Sequence, residues 1–167
     1  MPLKIQSFDN FSRPFGNVLA PLRKHLKGNK VINAYGNFVF GSFNYCRCLF
    51  FSIDRKTCIL LLNMGANPIT RDSNRWTSLH HCAAGGCLST AEILLGNHSM
   101  SLMTAADQEG NTALHVAAKH GHKDIVELIL SRGGDITVRN KKRLTCLDVA
   151  IECGKEEIAE VLIKNDK

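Results

Sequence analysis

Two groups of histidine and cysteine side chains are of types that bind zinc. The stretch His80–Cys82 lies close to Cys87, and Cys46, Cys48 and Cys58 lie further upstream. The three consecutive residues of the first group share one helical turn, so their side chains cannot all face one ion. The second group lacks the paired spacing of a zinc module. We therefore predict buried or incidental thiols and no metal site.

One pair of carboxylates, Asp107 and Glu109, has a spacing that could support acid–base catalysis. Both residues stand in a turn segment, where short acidic side chains bond to nearby backbone amides. The sequence contains no nucleophile elbow, no phosphate-binding glycine loop and no further paired carboxylate site. We therefore predict that the chain is not an enzyme and uses no cofactor.

The C-terminal two thirds of the chain repeat a short signature. Thr77–His80, Thr112–His115 and Thr145–Asp148 begin 35 and then 33 residues apart, and a glycine follows each of them. The signature residues are Thr77, Leu79, His80, Gly86, Thr112, Leu114, His115, Gly121, Thr145, Leu147 and Gly154. This periodicity, with its Thr-x-Leu-His signature, resembles the ankyrin repeat. The resemblance implies an all-α solenoid of helix-turn-helix units with hairpin loops, preceded here by an irregular N-terminal segment.

Each signature residue has a physical reason for its position. The threonine can cap the first helix of its repeat by accepting a backbone N–H. The leucine is expected to point into the stack, and small residues such as Ala117 and Ala118 let neighbouring helices approach closely. The glycine ends the helix where the backbone turns left-handed. No single repeat buries its own apolar faces, so stability comes from stacking.

The repeats divide the chain unevenly. Residues 1–43 show neither helical nor strand periodicity, so we expect an irregular, basic and poorly ordered lead segment. In the array 44–167, Leu49 and Phe50 replace the small pair and would overpack a regular interface. The expected units are a degenerate repeat, 44–70, and three clear repeats, 71–105, 106–138 and 139–167. Because the array starts within a repeat and its last helix keeps an apolar face, we expect a fragment of a longer protein.

The net charge of +6 comes from the first third of the chain. Residues 1–56 hold nine Lys or Arg and two Asp or Glu, whereas residues 57–167 hold twelve and thirteen. A nucleic-acid-binding domain presents a basic stripe across its folded body, so no nucleic-acid partner is expected. Residues 31–46 are uncharged but too polar and too short to span a bilayer. Seven cysteines without an apolar leader indicate reduced thiols and a cytoplasmic location.

Three stretches resemble one class of ankyrin protein in particular. Asn74–His81, Asp107–His115 and Val161–Lys164 are similar to the late ankyrin repeats of the transient receptor potential ankyrin-type cation channels. Those channels are tetramers whose long cytoplasmic ankyrin arm precedes six membrane helices and helps to sense stimuli. The resemblance implies a fragment of such an arm, at the cytoplasmic face of a membrane, that aids assembly and stimulus coupling. Arg75 departs from the glycine that is usual in that family.

A second class of protein fits the repeats as well. A soluble ankyrin adaptor or scaffold would bind partners through its hairpins and concave helices. In either class, the expected partners are other proteins or further ankyrin repeats of the same chain. The cysteines are assigned no sensing role, because the electrophile-sensing cysteines of the channel family lie mainly beyond its repeats.

Basic residues in two hairpins form the candidate binding surface. They are Arg71, Arg75, Arg139, Lys141, Lys142 and Arg143. Stacking places successive hairpins side by side, so we expect these charges to form one basic ridge. Such a ridge could bind an acidic protein, an inositol phosphate or other polyphosphate, or an anionic lipid surface. The alternative is that exposed hairpin tips are charged only because they are solvated.

Overall fold

The computed structural model describes residues 31–32, 38–39, 58–59, 62–63 and 66–165. The helices within residues 66–165 are α1 (Ser78–Gly85), α2 (Leu88–Met103), α3 (Ala113–His120), α4 (Lys123–Ser131), α5 (Cys146–Glu152) and α6 (Glu156–Asn165). Residues 58–59 and 62–63 are also helical. The predicted solenoid of helix pairs and hairpins is confirmed. Among the described residues, no helix combines the length and the apolar character needed to cross a membrane.

The six helices form two layers. The first helices of the three pairs, α1, α3 and α5, pack against one another in chain order. The second helices, α2, α4 and α6, do the same and form the other layer. Each helix also packs against its own partner. Because every pair contacts mainly its neighbours, the fold has the one-dimensional organisation of a repeat protein.

The first helix of each pair begins at the signature threonine. Thr77, Thr112 and Thr145 have extended backbone, with ψ of 172°, 169° and 169°, and each forms a capping box with the residue three positions later. The signature glycine follows the helix. Gly121, for example, has φ of 85° and donates its N–H to the carbonyl of Ala117. This left-handed backbone costs a residue with a Cβ atom more than it costs glycine.

The core lies between the two layers and between successive pairs. The second helices contribute fully buried leucines and isoleucines, each worth about 1.5–3 kcal/mol of transfer free energy. These residues are Leu94, Leu95, Ile125, Ile129, Ile158 and Leu162. In the first helices, Ala83, Ala117 and Ala118 have no exposed surface. Such small side chains allow the close approach of neighbouring first helices that the sequence predicts.

The signature leucine is buried only where a following repeat covers it. Leu79 is 0% exposed and Leu114 is 2% exposed. Leu147 packs against the core but is only half-buried. The expectation that all three leucines point into the stack therefore holds fully for two repeats. In the third repeat, no described element covers the outer side of Leu147.

The hairpins between the helix pairs lie side by side. Gln108 donates its backbone N–H to the carbonyl of Asn74 at 3.1 Å, and Lys141 donates its own to the carbonyl of Glu109 at 2.9 Å. The second hairpin therefore lies between the first and the third. Within it, the Oδ1 atom of Asp107 accepts the N–H groups of Glu109 and Asn111, both at 2.8 Å. This carboxylate organises its turn, as the position of Asp107 predicts.

Two short strands lie in the N-terminal segment, where we expected no regular element. β1 (Val31–Ile32) pairs antiparallel with β2 (Phe38–Val39), with Val31 opposite Val39 and Ile32 opposite Phe38. This four-residue pairing is an addition to the expected irregular segment, because runs as short as two residues carry no periodic signal in the sequence. Four β-branched or aromatic residues separated by a short segment with Gly36 are sufficient for a minimal hairpin. Most of residues 1–43 lie outside the described part of the chain.

The degenerate repeat proposed for 44–70 is described only in part. Leu49 and Phe50 lie outside the described residues, whereas Cys58 is buried. The segment that follows joins the stack directly, because the hydroxyl of Ser78 donates to the carbonyl of Pro68 at 2.9 Å. At least the end of this unit therefore packs against the first clear repeat.

Candidate interaction surface

The signature histidine of the first clear repeat joins two repeats. His80 has no exposed surface, and its Nε2 atom lies 3.1 Å from the carbonyl oxygen of Asn111. A carbonyl can only accept, so Nε2 carries the proton. The Nδ1 atom then accepts the backbone N–H of Thr77 at 3.2 Å and lies 2.9 Å from its hydroxyl oxygen. Burial lowers the pKa of His80 and so favours this neutral form.

The second repeat reproduces this arrangement. The Nε2–H of His115 donates to the carbonyl of Leu144 at 3.2 Å, and its Nδ1 accepts the N–H of Thr112 at 3.3 Å. Burial again lowers the pKa of the imidazole. Each of these histidines therefore caps its own helix and binds the following hairpin. Their role in the described structure is to connect repeats.

The third repeat has Asp148 at this position, and this residue keeps the helix cap but cannot form the bond to a following hairpin. The Oδ2 atom of Asp148 accepts the N–H and the hydroxyl of Thr145, both at 2.8 Å. These bonds lower the pKa of the carboxyl group, with the backbone N–H as the largest cause. The helix cap is therefore kept. An ionised carboxylate has no proton to donate to a further hairpin.

Two of the six basic candidate residues bind the backbone of the hairpins. The Nη1 atom of Arg71 donates to the carbonyl of Ala106 in the next hairpin at 3.1 Å. The Nη1 atom of Arg139 donates to the carbonyl of Arg143 in its own hairpin at 2.8 Å. Both side chains remain exposed. Their guanidinium groups help to hold the hairpins in addition to any role at the surface.

The remaining candidates, Arg75, Lys141, Lys142 and Arg143, are exposed at the hairpin tips. Arg75 and Arg143 have φ of 62° and 65°, in the left-handed region. At the corresponding position of the second hairpin stands Gly110, with φ of 81°. An arginine in this conformation costs about 1–2 kcal/mol relative to a right-handed backbone. Two hairpins thus keep a charged side chain where glycine would be less strained.

The six residues do not form one continuous basic ridge. The second hairpin lies between the two basic ones, and the exposed Glu109 stands on it. The sequence alone does not show that this carboxylate lies between the two basic hairpins. The surface therefore has a basic tip at Arg75, a carboxylate at Glu109, and a larger basic cluster on the third hairpin.

An open groove of about 290 Å³ runs beside the second hairpin. Its lining includes Trp76, Glu109, Val116, Lys119 and His120, so both acidic and basic side chains line the groove. Sequence reasoning did not place Trp76 in a surface groove. The available signal was its position directly before the capping threonine, at the base of a hairpin.

Hydrogen bonds and ring contacts fix the orientation of Trp76. Its Nε1–H donates to the Oδ2 atom of Asp107 at 3.2 Å. Its ring stacks on His80, with the ring centroids 6.1 Å apart, and meets His81 edge-on at 5.0 Å. The Nε2 atom of His81 lies 3.0 Å from the Oδ2 atom of Asp72. The aromatic wall of the groove is therefore held by two successive hairpins.

Two buried thiols, those of Cys82 and Cys146, are of the unreactive kind. Cys82 is fully buried, and burial raises its pKa well above the usual range. Burial also raises the pKa of Cys146 to about 11. Such thiols stay protonated at neutral pH and are poor nucleophiles. Among the residues that the structure describes, no group of three or more His, Cys, Asp or Glu side chains could hold a metal ion.

Stacked helix pairs joined by projecting hairpins define a repeat protein built for binding. A family model described as ankyrin repeats in three copies matches residues 48–140 and 98–167. The chain belongs to the ankyrin-repeat family. Arrays of this kind are interaction modules, and their fold carries no catalytic machinery of its own.

Relatives of different function match the chain. NAD-capped RNA hydrolase NUDT12 of Homo sapiens is 40% identical over 86 residues, which are 52% of this chain and 18% of that protein. A transient receptor potential cation channel subfamily A member 1 homolog of Caenorhabditis elegans is 34% identical over 104 residues, covering 62% and 8%. SH3 and multiple ankyrin repeat domains protein 2 of Homo sapiens is 35% identical over 114 residues, covering 68% and 6%. The chain spans less than a fifth of each relative, so these matches single out none of their functions.

Proposed function

We propose that the chain is a non-catalytic protein-binding module whose third hairpin binds an acidic segment of a partner protein. The principal contacts are Lys141, Lys142 and Arg143. All three side chains are exposed, and they are consecutive at the hairpin tip. Their concentrated positive charge would attract a negatively charged segment and speed its association.

The backbone conformation of Arg143 is the observation that carries this proposal. Its φ of 65° is one that glycine adopts with less strain, and glycine stands at the corresponding position of the neighbouring hairpin. Strained residues of this kind cluster at binding sites, where the function of the side chain outweighs the free-energy cost of the backbone conformation. The hydrogen bond from Arg139 to the carbonyl of Arg143 supports the turn and presents the tip in a fixed geometry.

The charge of the second hairpin limits the size of the proposed contact. Glu109 is exposed, and its carbonyl accepts the N–H of Lys141, so the two hairpins are immediate neighbours. A carboxylate there would repel an acidic segment that extended toward the groove. We therefore assign the acidic partner to the third hairpin alone and exclude a ridge that runs across all three.

Charge reversal at the tip tests this proposal. The K141E/K142E/R143E variant and wild type are titrated against a short fluorescein-labelled poly-glutamate peptide, and binding is followed by fluorescence anisotropy. We expect the affinity to fall at least about tenfold, equivalent to 1.4 kcal/mol. The control variant K119E/K123E/K164E makes the same change of net charge at exposed lysines outside the hairpin. It should retain most of the affinity.

Two results would overturn the proposal. An equal loss in both variants would show general charge attraction without a defined site. Binding of inositol hexakisphosphate or of phosphatidylserine vesicles, without binding of the peptide, would replace the protein partner by a polyphosphate or a lipid surface.

A second function that we propose is a place in the cytoplasmic arm of a transient receptor potential ankyrin-type channel, where the chain would aid tetramer assembly and stimulus coupling. The similarity of Asn74–His81 and Asp107–His115 to such arms supports it, together with the 34% identity to the Caenorhabditis elegans homolog.

A soluble cytoplasmic adaptor or scaffold is the alternative, and the match to SH3 and multiple ankyrin repeat domains protein 2 supports that. Reading the transcript beyond Lys167 separates them: a channel requires downstream apolar segments of about 20 residues each, and a stop codon directly after Lys167 would exclude it.

A further inference from the structure

We propose that the groove beside the second hairpin binds a single lysine or arginine side chain of a partner protein. The carboxylate of Glu109 pairs with the positive group, and the indole of Trp76 packs against it. This site takes the opposite charge from the third hairpin and uses other residues, so the proposal does not rest on the one above.

The groove lies inside the array, and its walls do not depend on the ends of the chain. Its lining residues run from Asn74 in the first hairpin to Val149 on α5, and most of them belong to the second repeat. Helices of the first and third repeats pack on either side of that repeat. The volume of about 290 Å³ is at the lower limit for sites that bind small ligands. The groove is therefore of a size for one long side chain.

Glu109 supplies the negative charge of the site. Its side chain is exposed and forms no ion pair with another described residue. Its Oε2 atom accepts one hydrogen bond, from the Nδ2–H of Asn111 at 3.3 Å. The neighbouring carboxylate of Asp107 is buried and is already engaged by backbone N–H groups, by the amide of Asn111 and by the indole of Trp76. Glu109 is therefore the carboxylate of the groove that is available to a ligand.

The indole of Trp76 provides the second part of the site. The residue is half-buried, and its hydrogen bond to Asp107 and its contact with His81 fix its orientation before any ligand arrives. His80 stacks on one face of the ring, and the proposed cation binds over the other. Tryptophan is the aromatic side chain that attracts cations most strongly. A ring next to a carboxylate is complementary to Lys or Arg, whose stem is apolar and whose end is positive.

The basic residues of the groove limit the ligand to one positive charge. Lys119 and His120 are the last two residues of α3, which has 8 residues and is therefore about 12 Å long. Because Glu109 precedes this helix, the acidic and basic groups lie at opposite ends of it. Burial and the charges of Lys119, His122 and Lys155 lower the pKa of His120. A run of basic residues would extend toward these cations and be repelled, so we assign one basic residue in a neutral segment.

The test uses short peptides without aromatic residues, blocked at both termini. One carries a central arginine, and its counterpart carries citrulline, which has a similar shape and no charge. Binding to the full chain is measured by titration calorimetry and by the emission of Trp76, the only tryptophan. We expect the arginine peptide to bind at least about fivefold more tightly than the citrulline peptide and to change the emission. A peptide with three consecutive arginines should bind no more tightly than the peptide with one.

Two variants locate the binding site. Glu109→Gln should remove the preference for arginine over citrulline, because it removes the charge and keeps an oxygen that can accept from Asn111. Glu127→Gln is the matched control, since Glu127 is an exposed carboxylate on α4 that does not line the groove. It should keep the full preference.

Four outcomes would each overturn the proposal. They are equal affinity for the arginine and citrulline peptides, a preference that Glu109→Gln leaves unchanged, an equal loss in Glu127→Gln, and binding without a change in the emission of Trp76. Tighter binding of the three-arginine peptide would likewise overturn it, by showing general charge attraction. The hairpin proposal is tested with an acidic peptide and with other variants, so the two proposals can fail separately.

Discussion

The Nε2–H of His80 donates to the backbone carbonyl of Asn111, 31 residues further along the chain, at 3.1 Å. The other nitrogen of the same ring accepts the N–H of Thr77, which starts helix α1. One neutral imidazole thus donates a hydrogen bond to one partner and accepts a hydrogen bond from the other. Protonation would place a proton on the nitrogen that must accept, so the connection between repeats depends on the neutral ring.

Removal of one of these rings should destabilise the whole stack. In His115→Ala, the N–H of Thr112 and the carbonyl of Leu144 lose their partner and a cavity is left. We expect the free energy of unfolding, measured by urea denaturation, to fall by about 2–4 kcal/mol. His120→Ala, at an exposed histidine of the same helix, should change it by less than about 0.5 kcal/mol. Equal losses in the two variants would contradict the role assigned to His115.

The stability of the array should decrease in mildly acidic solution. Burial lowers the pKa of His80 and of His115 below the ordinary value of 6.5, so the unfolded chain binds protons at these sites more readily. Their stabilising effect is therefore complete above pH 6.5 and is lost as the pH falls below it. The limiting slope is about 1.4 kcal/mol per pH unit for each histidine that is protonated only in the unfolded state.

Urea denaturation between neutral and mildly acidic pH measures this effect. His115→Asn should show a smaller dependence on pH than wild type, because it lacks one of the two titrating groups. His120→Asn is the control: burial also lowers the pKa of His120, but its exposed ring has a weaker effect. A pH dependence that is unchanged in His115→Asn would exclude this histidine as its source.

The helices and their caps were predictable because their causes are local. The capping box of Thr112 and His115 lies within four residues, and Gly121 follows directly after the last residue of α3. Stacking follows from the repeat period. The half-burial of Leu147 was not predictable from the signature alone, because it depends on what covers the outer side of the third repeat.

The candidate surface was predictable only in composition. The sequence identifies the basic residues of the hairpins, but the order of the hairpins places Glu109 between them. The hydrogen bond of Arg71 to Ala106 joins residues 35 positions apart and depends on the stacked geometry. Arg143 occupies the position that Gly110 has in the second hairpin, and this correspondence is the sequence signal for its left-handed backbone. The signal is ambiguous, because an arginine at such a position indicates either a different turn or the same turn with a strained backbone.

Strain at Arg143 leads to a paired prediction. Arg143→Gly should raise the free energy of unfolding by about 0.5–1 kcal/mol, because glycine adopts φ of 65° without the clash of a Cβ atom. Arg143→Ala keeps the Cβ atom and should give no such gain. Both variants should bind the poly-glutamate peptide more weakly than wild type. A gain in Arg143→Ala equal to that in Arg143→Gly would show that the charge of the side chain, rather than the backbone, limits stability.

The opposite change in the second hairpin should be harmful. A Cβ atom at Gly110 would lie 2.9 Å from the backbone nitrogen of Lys141, and the backbone there has φ of 81°. Gly110→Ala should therefore cost at least about 1 kcal/mol. It should also speed hydrogen exchange of the Lys141 amide, which bonds to Glu109 at 2.9 Å. Gly96→Ala, where a Cβ atom meets nothing within 4 Å, is the control and should leave that exchange rate unchanged.

Trp76 is the only tryptophan of the chain, so its fluorescence reports on the groove alone. Its Nε1–H donates to Asp107, which also organises the second hairpin. In Trp76→Phe, the ring contact with His80 is largely kept and this hydrogen bond is lost. We expect a loss of about 1–2 kcal/mol in the free energy of unfolding, because the carboxylate loses a donor at a partly buried site. Asp107→Asn in the wild-type background should shift the emission of Trp76 by weakening the same bond. An unchanged spectrum in Asp107→Asn, together with full stability of Trp76→Phe, would mean that stacking on the histidines alone holds the indole in place.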